Sequence, residues 1–145
     1  MFKHILLPTD GSKLAEAAIF KGIELARQQG AQVTGLYVMP EFHILSYHVE
    51  TLEDTKQEFL RECRLHTQQY LDFIERTAQE ARVPCTLLND SSDHPYEVIC
   101  RVAEHRDCDL IVMSSHGRRG LAGVLLGSET QRVLSHSRVP VLVYR

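Results

Sequence analysis

Strand-like and helix-like segments alternate along the whole of this chain, and that alternation leaves very few architectures open to it. Phe2 to Leu7 is a short β run ended by Pro8. From Ser12 to Gln29, the residues Leu14, Ala15, Ala18, Ile19, Leu25 and Ala26 recur at three- and four-residue spacing, which predicts a helix with Gly30 as its C-terminal cap. Ala31 to Val38 predicts a second strand, ended by Pro40, and residues 40 to 51 read as a loop. A buried stripe including Leu60, Cys63, Tyr70, Leu71, Ile74 and Ala78 predicts a long helix from about Leu52 to Ala81. Val83 to Leu88 follows as a third strand and Asn89 to Asp93 as a polar turn. Pro95 opens a helix reaching about His105, with Tyr96, Ile99, Val102 and Ala103 on its inner face. Asp109 to Ser114 is the fourth strand, Ser128 to Ser135 a short helix, and Val139 to Tyr144 the fifth strand.

The order βαβαβαβαβ predicts an α/β fold: a single doubly wound domain over residues 1–145, with a five-stranded parallel sheet in the order 3-2-1-4-5 and helices on both faces. The Ile, Leu and Val runs suit strands covered on both sides. With 145 residues, 43% hydrophobic and 24% charged, the chain can bury one sizeable core.

Several functions are excluded or set aside. A net charge of −3 gives no electrostatic footprint for nucleic acid. No apolar run has the length of a membrane span, and Met1 to Pro8 lacks the pattern of a signal peptide, so a cytoplasmic location is expected. Cys63, Cys85, Cys100 and Cys108 form no C-x-x-C pair and read as reduced, mostly buried thiols. His43 and His48 lie in a loop with no spaced cysteine or acidic partner, so they read as surface histidines rather than metal ligands. There is no G-x-x-x-x-G-K-[S/T] and no G-x-S-x-G. A Ser115–His116–Asp10 triad is rejected because adjacent side chains point apart on an extended chain. A flavodoxin-like reading of Thr9, Gly11 and Ser12 and a receiver-like reading of the lone Asp10 are both disfavoured.

In a sheet ordered 3-2-1-4-5, the loops after strands one and four flank the crevice where open α/β sheets bind ligands. The first is Pro8-Thr9-Asp10-Gly11-Ser12. Asp10 suits either a contact to base, ribose or hydrated metal, or a share with Ser12 in capping the following helix. The second runs from Ser114 to Ser128. Gly117 allows a turn that presents N–H groups to a phosphate, Gly127 and Ser128 precede a helix N-terminus, and Arg118 and Arg119 can neutralise phosphate oxygens. The plainer reading is a Ser128–Gln131 capping box beside two solvated arginines. His116 reads as orienting the turn through hydrogen bonds, with phosphate contact or proton transfer as its other role.

Ser114-Ser115-His116-Gly117, nine residues, then Gly127-Ser128 resembles the G-x-x-G, nine residues, G-[S/T] pattern of the universal stress protein family. The segments Ile5 to Ser12, Asp109 to Met113 and Val139 to Val143 are similar to that family as well. The resemblance implies an adenine-nucleotide-binding stress-response regulator, loaded with ATP, ADP or AMP, with or without Mg²⁺, and turning ATP over slowly at most. It implies that Asp10 and the backbone around Val38 meet the adenosine part, Ser114 and Gly117 the ribose and α-phosphate, and Gly127 and Ser128 the outer phosphates. The expected binding set is Pro8, Thr9, Asp10, Val38, Ser114, His116, Gly117, Arg118, Arg119, Gly127, Ser128 and Glu129, with no catalytic residue assigned. The resemblance also implies a homodimer paired through residues 139–144, and no nucleic-acid or membrane partner. Ser114 departs from the glycine usual in the nucleotide-binding branch; its Cβ disfavours positive φ and would crowd a ribose or phosphate. That departure favours the alternative of a dimeric interaction protein that holds no nucleotide.

Overall fold

The computed structural model describes residues 1–43, 49–118, 120 and 125–145. Its elements follow in the order β1 (His4–Thr9), α1 (Lys13–Gln29), β2 (Gln32–Met39), α2 (Val49–Ala81), β3 (Cys85–Ser91), α3 (Pro95–His105), β4 (Leu110–Ser114), α4 (Ser128–His136) and β5 (Val141–Tyr144). The strands form one sheet in the order β3-β2-β1-β4-β5, every pair parallel. The expected doubly wound architecture is therefore the observed one.

Side chains of successive strand residues go to opposite faces, and each face has its own helices. Ile5 and Leu7 of β1 join Val33, Tyr37 and Val112 in a core closed by Ile19 and Ile23 of α1 and by Tyr70, Ile74 and Ala78 of α2. Leu6 joins Leu36, Ile111 and Met113 on the other face, under Val98, Ile99 and Ala103 of α3 and Val133 of α4. Asp109 lies just before β4, and its carboxylate accepts the backbone N–H groups of Lys3 and His4 at 2.8 and 3.0 Å, pinning the start of β1 to its neighbour. Among the described residues, every buried side-chain nitrogen or oxygen has a hydrogen-bond partner.

Four expectations change. Leu60, expected on the buried stripe of α2, is 41% exposed. The segment Asn89-Asp90-Ser91 is not a turn but the end of β3, because its backbone continues the parallel ladder opposite Tyr37, Val38 and Met39. Polar side chains are tolerated there because β3 is an edge strand. Helix α2 begins at Val49, inside the stretch read as a loop, while residues 44–48 lie outside the described residues. On α3, Val98 is buried where Tyr96 and Val102 are only partly covered. Among the described residues, no helix is long and apolar enough to cross a membrane.

All four cysteines are free thiols; Cys63 and Cys108 are buried, Cys85 and Cys100 partly so. Burial, reinforced by a nearby carboxylate (Glu75 or Asp109), pushes Cys85 and Cys108 up from 9.0 to about 11. The folded state thus holds these protons more tightly than the unfolded chain. Their contribution to stability is whole below pH 9 and is lost as pH rises toward 11. Thermal melts of the wild type across pH 8 to 11 are expected to show a falling Tm, and Cys108→Ala a shallower fall. A difference between the two that stays constant with pH would contradict this assignment.

Candidate functional site

The loop after β1 is built by short local bonds. Thr9 Oγ1 accepts the Gly11 N–H at 3.0 Å, and Asp10 Oδ1 accepts the Ser12 N–H at 3.0 Å. Ser12 caps α1, its Oγ accepting the Ala15 N–H at 3.2 Å. Gly11 sits at φ +78°, and the Tyr70 ring lies 2.2 Å from where a Cβ would stand, so no other residue fits there without strain. The capping role open to Asp10 thus falls to Ser12, and Asp10 has a longer reach.

Asp10 Oδ2 accepts the backbone N–H of Arg118 at 2.7 Å, across 108 residues of chain. This bond draws the loop after β4 against the loop after β1. It also explains Gly117, whose added Cβ would lie 2.2 Å from the same oxygen. The glycine is needed for this close approach rather than for a left-handed turn, since among the described residues only Gly11 and Gly30 have glycine φ in the positive range. The Arg118 guanidinium stands 5.1 Å from the Tyr70 ring centroid. Tyr70 in turn meets Tyr37 edge-on and stacks with His66.

Ser114 ends β4 with ordinary extended geometry, so its Cβ carries no backbone penalty. Its Oγ donates to the carbonyl of His116 at 2.7 Å, and its own carbonyl accepts Thr130 Oγ1 at 2.9 Å. Beyond it, Gly127 N–H donates to the Ser115 carbonyl at 2.6 Å and closes the base of the loop. Ser115 Oγ and His116 Nδ1 lie 2.9 Å apart. These adjacent side chains do not diverge as expected: the chain leaves the extended conformation after Ser114, and they meet.

The Ser128–Gln131 capping box is also corrected. Gly127 is the N-cap of α4, no side chain caps it, and Gln131 Nε2 donates to the Leu126 carbonyl instead. The first turn of α4 consequently opens on N–H groups directed past Gly127. Glu129, in that turn, accepts the Tyr96 N–H at 2.9 Å and an Arg132 N–H at 3.0 Å. It thereby caps α3, whose own N-cap His94 supplies no side-chain bond.

These segments enclose a hollow of about 720 Å³ at the carboxyl end of the sheet. Pro8, Thr9 and Asp10 line it from β1, and Val38 from β2. Ser114, His116, Gly117 and Arg118 line it from β4 and its loop, and Gly127, Ser128 and Glu129 from the start of α4. Of the expected set only Arg119 is not placed, because it lies outside the described residues. Sequence reasoning missed Pro40, Ser92, Asp93 and Pro95. The signal was present: a strand-ending proline and a polar turn before a helix, both at carboxyl ends of strands. A second miss concerns His43. In the sequence it reads as a surface histidine without an acidic partner, but the fold brings its Nε2 into hydrogen-bond contact with Asp93.

Comparison with known proteins agrees with this geometry. The model of the universal stress protein family matches residues 1–145. Universal stress protein MJ0531 of Methanocaldococcus jannaschii is 31% identical over all of this chain and 83% of its own length. Universal stress protein MJ0577 of the same organism is 32% identical over all of this chain and 96% of its own length. The solved structure of MJ0577 superposes with a TM-score of 0.82 at 29% identity, covering 99% of this chain and 95% of the other. A universal stress protein solved in complex with cAMP has a TM-score of 0.74 over 99% of this chain and 97% of its own, and at 20% identity shares the fold alone. A match along its full length, with the sheet order and loop pattern to go with it, shows that this chain belongs to the universal stress protein family.

Proposed function

We propose that the hollow binds an adenine nucleotide (ATP, ADP or AMP, with or without Mg²⁺) and that the protein acts as a stress-response regulatory module with little or no turnover. The observation that carries this reading is the convergence of two distant strand-end loops, tied by Asp10 to Arg118, on one hollow of about 720 Å³. That volume lies within the range of small-molecule sites, roughly 300–1,000 Å³. Its lining combines two kinds of surface. Pro8, Leu36, Val38 and Pro40 supply apolar surface suited to a purine. The uncapped N-terminus of α4 and the Arg118 guanidinium supply positive potential suited to phosphates. In this reading Asp10 and the backbone at Val38 take the adenosine, Ser114 and Gly117 the ribose and first phosphate, and Gly127 and Ser128 the outer phosphates. The positive-φ objection to Ser114 falls away because it lies in a strand, and its hydroxyl is turned onto the His116 carbonyl.

Turnover needs a group that acts more strongly on the transition state than on the bound nucleotide. Asp10 and Glu129 already accept backbone N–H groups, which suits them to holding loops and helix ends rather than to taking a proton. Calorimetry with ATP, ADP and AMP is expected to show binding of at least one, with a matching rise in Tm. Asp10→Ala should weaken that binding tenfold or more and cost about 1–3 kcal/mol of stability, as expected for lost hydrogen bonds to a charged group. Gly117→Ala should act in the same direction by driving a Cβ into the Asp10 carboxylate. Absence of heat and of any thermal shift at millimolar nucleotide overturns the binding reading, and rapid release of phosphate from labelled ATP overturns the regulatory one.

The same reading includes a homodimer formed through residues 139–144. β5 is an edge strand of four residues with Leu142 41% exposed, whereas the opposite edge, β3, ends in Asn89, Asp90 and Ser91. An apolar edge invites pairing and a polar one resists it. Light scattering should give twice the mass of the 16.5 kDa chain. Leu142→Lys should shift the protein toward monomer; a wild-type monomer at high micromolar concentration would refute the dimer.

A further inference from the structure

Outside the floor of the hollow, the described residues bring one imidazole and two carboxylates together. Glu41 and His43 follow β2, and Asp93 lies 50 residues beyond His43, in the turn before α3. Their candidate ligand atoms all lie within 4.8 Å of one another, and all three residues are exposed. Asp93 is held in place twice: Oδ1 accepts the Glu41 backbone N–H at 3.3 Å, and Oδ2 contacts His43 Nε2. It also lines the lip of the hollow, beside Ser92 and Pro40.

We propose that Glu41, His43 and Asp93 form a surface site for a divalent transition-metal ion of the zinc class. The donor set decides the class. A neutral imidazole with two carboxylates offers one nitrogen, at least two oxygens and a charge of −2, which balances a dication. Imidazole selects zinc, nickel, cobalt or copper over magnesium and calcium, which take oxygen ligands almost alone. Three protein ligands with water completing the shell is the open form of a tetrahedral zinc site, with metal–ligand distances of about 2.0–2.2 Å. Exposed side chains close from 4.8 Å to such a shell by rotation about their own bonds, without moving the backbone. The Glu41 N–H bond to Asp93 is the kind of outer contact that orients a ligating carboxylate. The ion takes the place of the proton between His43 Nε2 and Asp93. It binds without any nucleotide, so the site stands or falls apart from the reading of the hollow.

Calorimetry with zinc ion on the full chain, stripped with a chelator and free of nucleotide, tests the proposal. One ion per chain is expected, with His43→Ala and Asp93→Asn each weakening uptake at least tenfold and His105→Ala leaving it unchanged. Cobalt substitution should give a visible absorption band in the wild type that His43→Ala loses, and magnesium should give no heat. All three variants change exposed residues, so their melts without metal should match the wild type. No uptake at submillimolar zinc, or equal uptake by wild type, His43→Ala and Asp93→Asn, overturns the site.

Discussion

The carboxylate of Asp10 is the contact on which the carboxyl end of this molecule depends. One oxygen closes the turn that starts α1, and the other holds the backbone of Arg118 at 2.7 Å. A parallel sheet alone brings the ends of β1 and β4 side by side, but it leaves the loops beyond them free to splay. A charge-assisted bond between those loops converts adjacency into an enclosed hollow. The bond demands space, and Gly117 provides it by having no Cβ. Tyr70 works from the other side: its ring fills the place of a Gly11 side chain and lies under the Arg118 guanidinium. Helix α2 is thereby coupled to both loops through one residue.

The sheet order, the presence of helices on both faces and the two loops that flank the crevice were legible in the sequence, because each rests on local periodicity and on the handedness of parallel crossovers. Ile5 and Leu7 face one core and Leu6 the other, as a strand covered on both sides requires. What was not legible depended on partners distant along the chain. Asn89 to Ser91 look like a turn by composition, and only the ladder with β2 makes them strand. Ser128 and Gln131 have the spacing of a capping box, but Gly127 rather than Ser128 is the N-cap, and Gln131 turns to Leu126. Glu129 caps a different helix, a role that no spacing rule announces.

Ser114 shows how a residue type misleads when its backbone geometry is unknown. A Cβ is costly at positive φ and harmless in a strand, and Ser114 is in a strand. Its hydroxyl takes the His116 carbonyl, which helps set the bend after β4. That bend also brings Ser115 and His116 into contact, which an extended chain would forbid. The strand removes the positive-φ penalty on Ser114, and the bend removes the divergence of Ser115 and His116.

The hollow and its lip are assembled on different principles. At the floor, carboxylates are spent on backbone N–H groups, so the loop contacts at Ser12, Tyr96 and Arg118 are made without a ligand, and a ligand there would need little further ordering of them. At the lip, Glu41 and His43 stand on an exposed stretch that meets Asp93 through the side chains and one backbone N–H. A ligand in the hollow would gain from rigid walls, whereas an ion at the lip would itself supply the rigidity, fastening the segment after β2 to the turn before α3. Both segments border the same opening. An ion there would narrow the range of positions the opening adopts without touching the contacts at the floor, and its effect on a ligand in the hollow would fall on the rates of entry and exit more than on the fit.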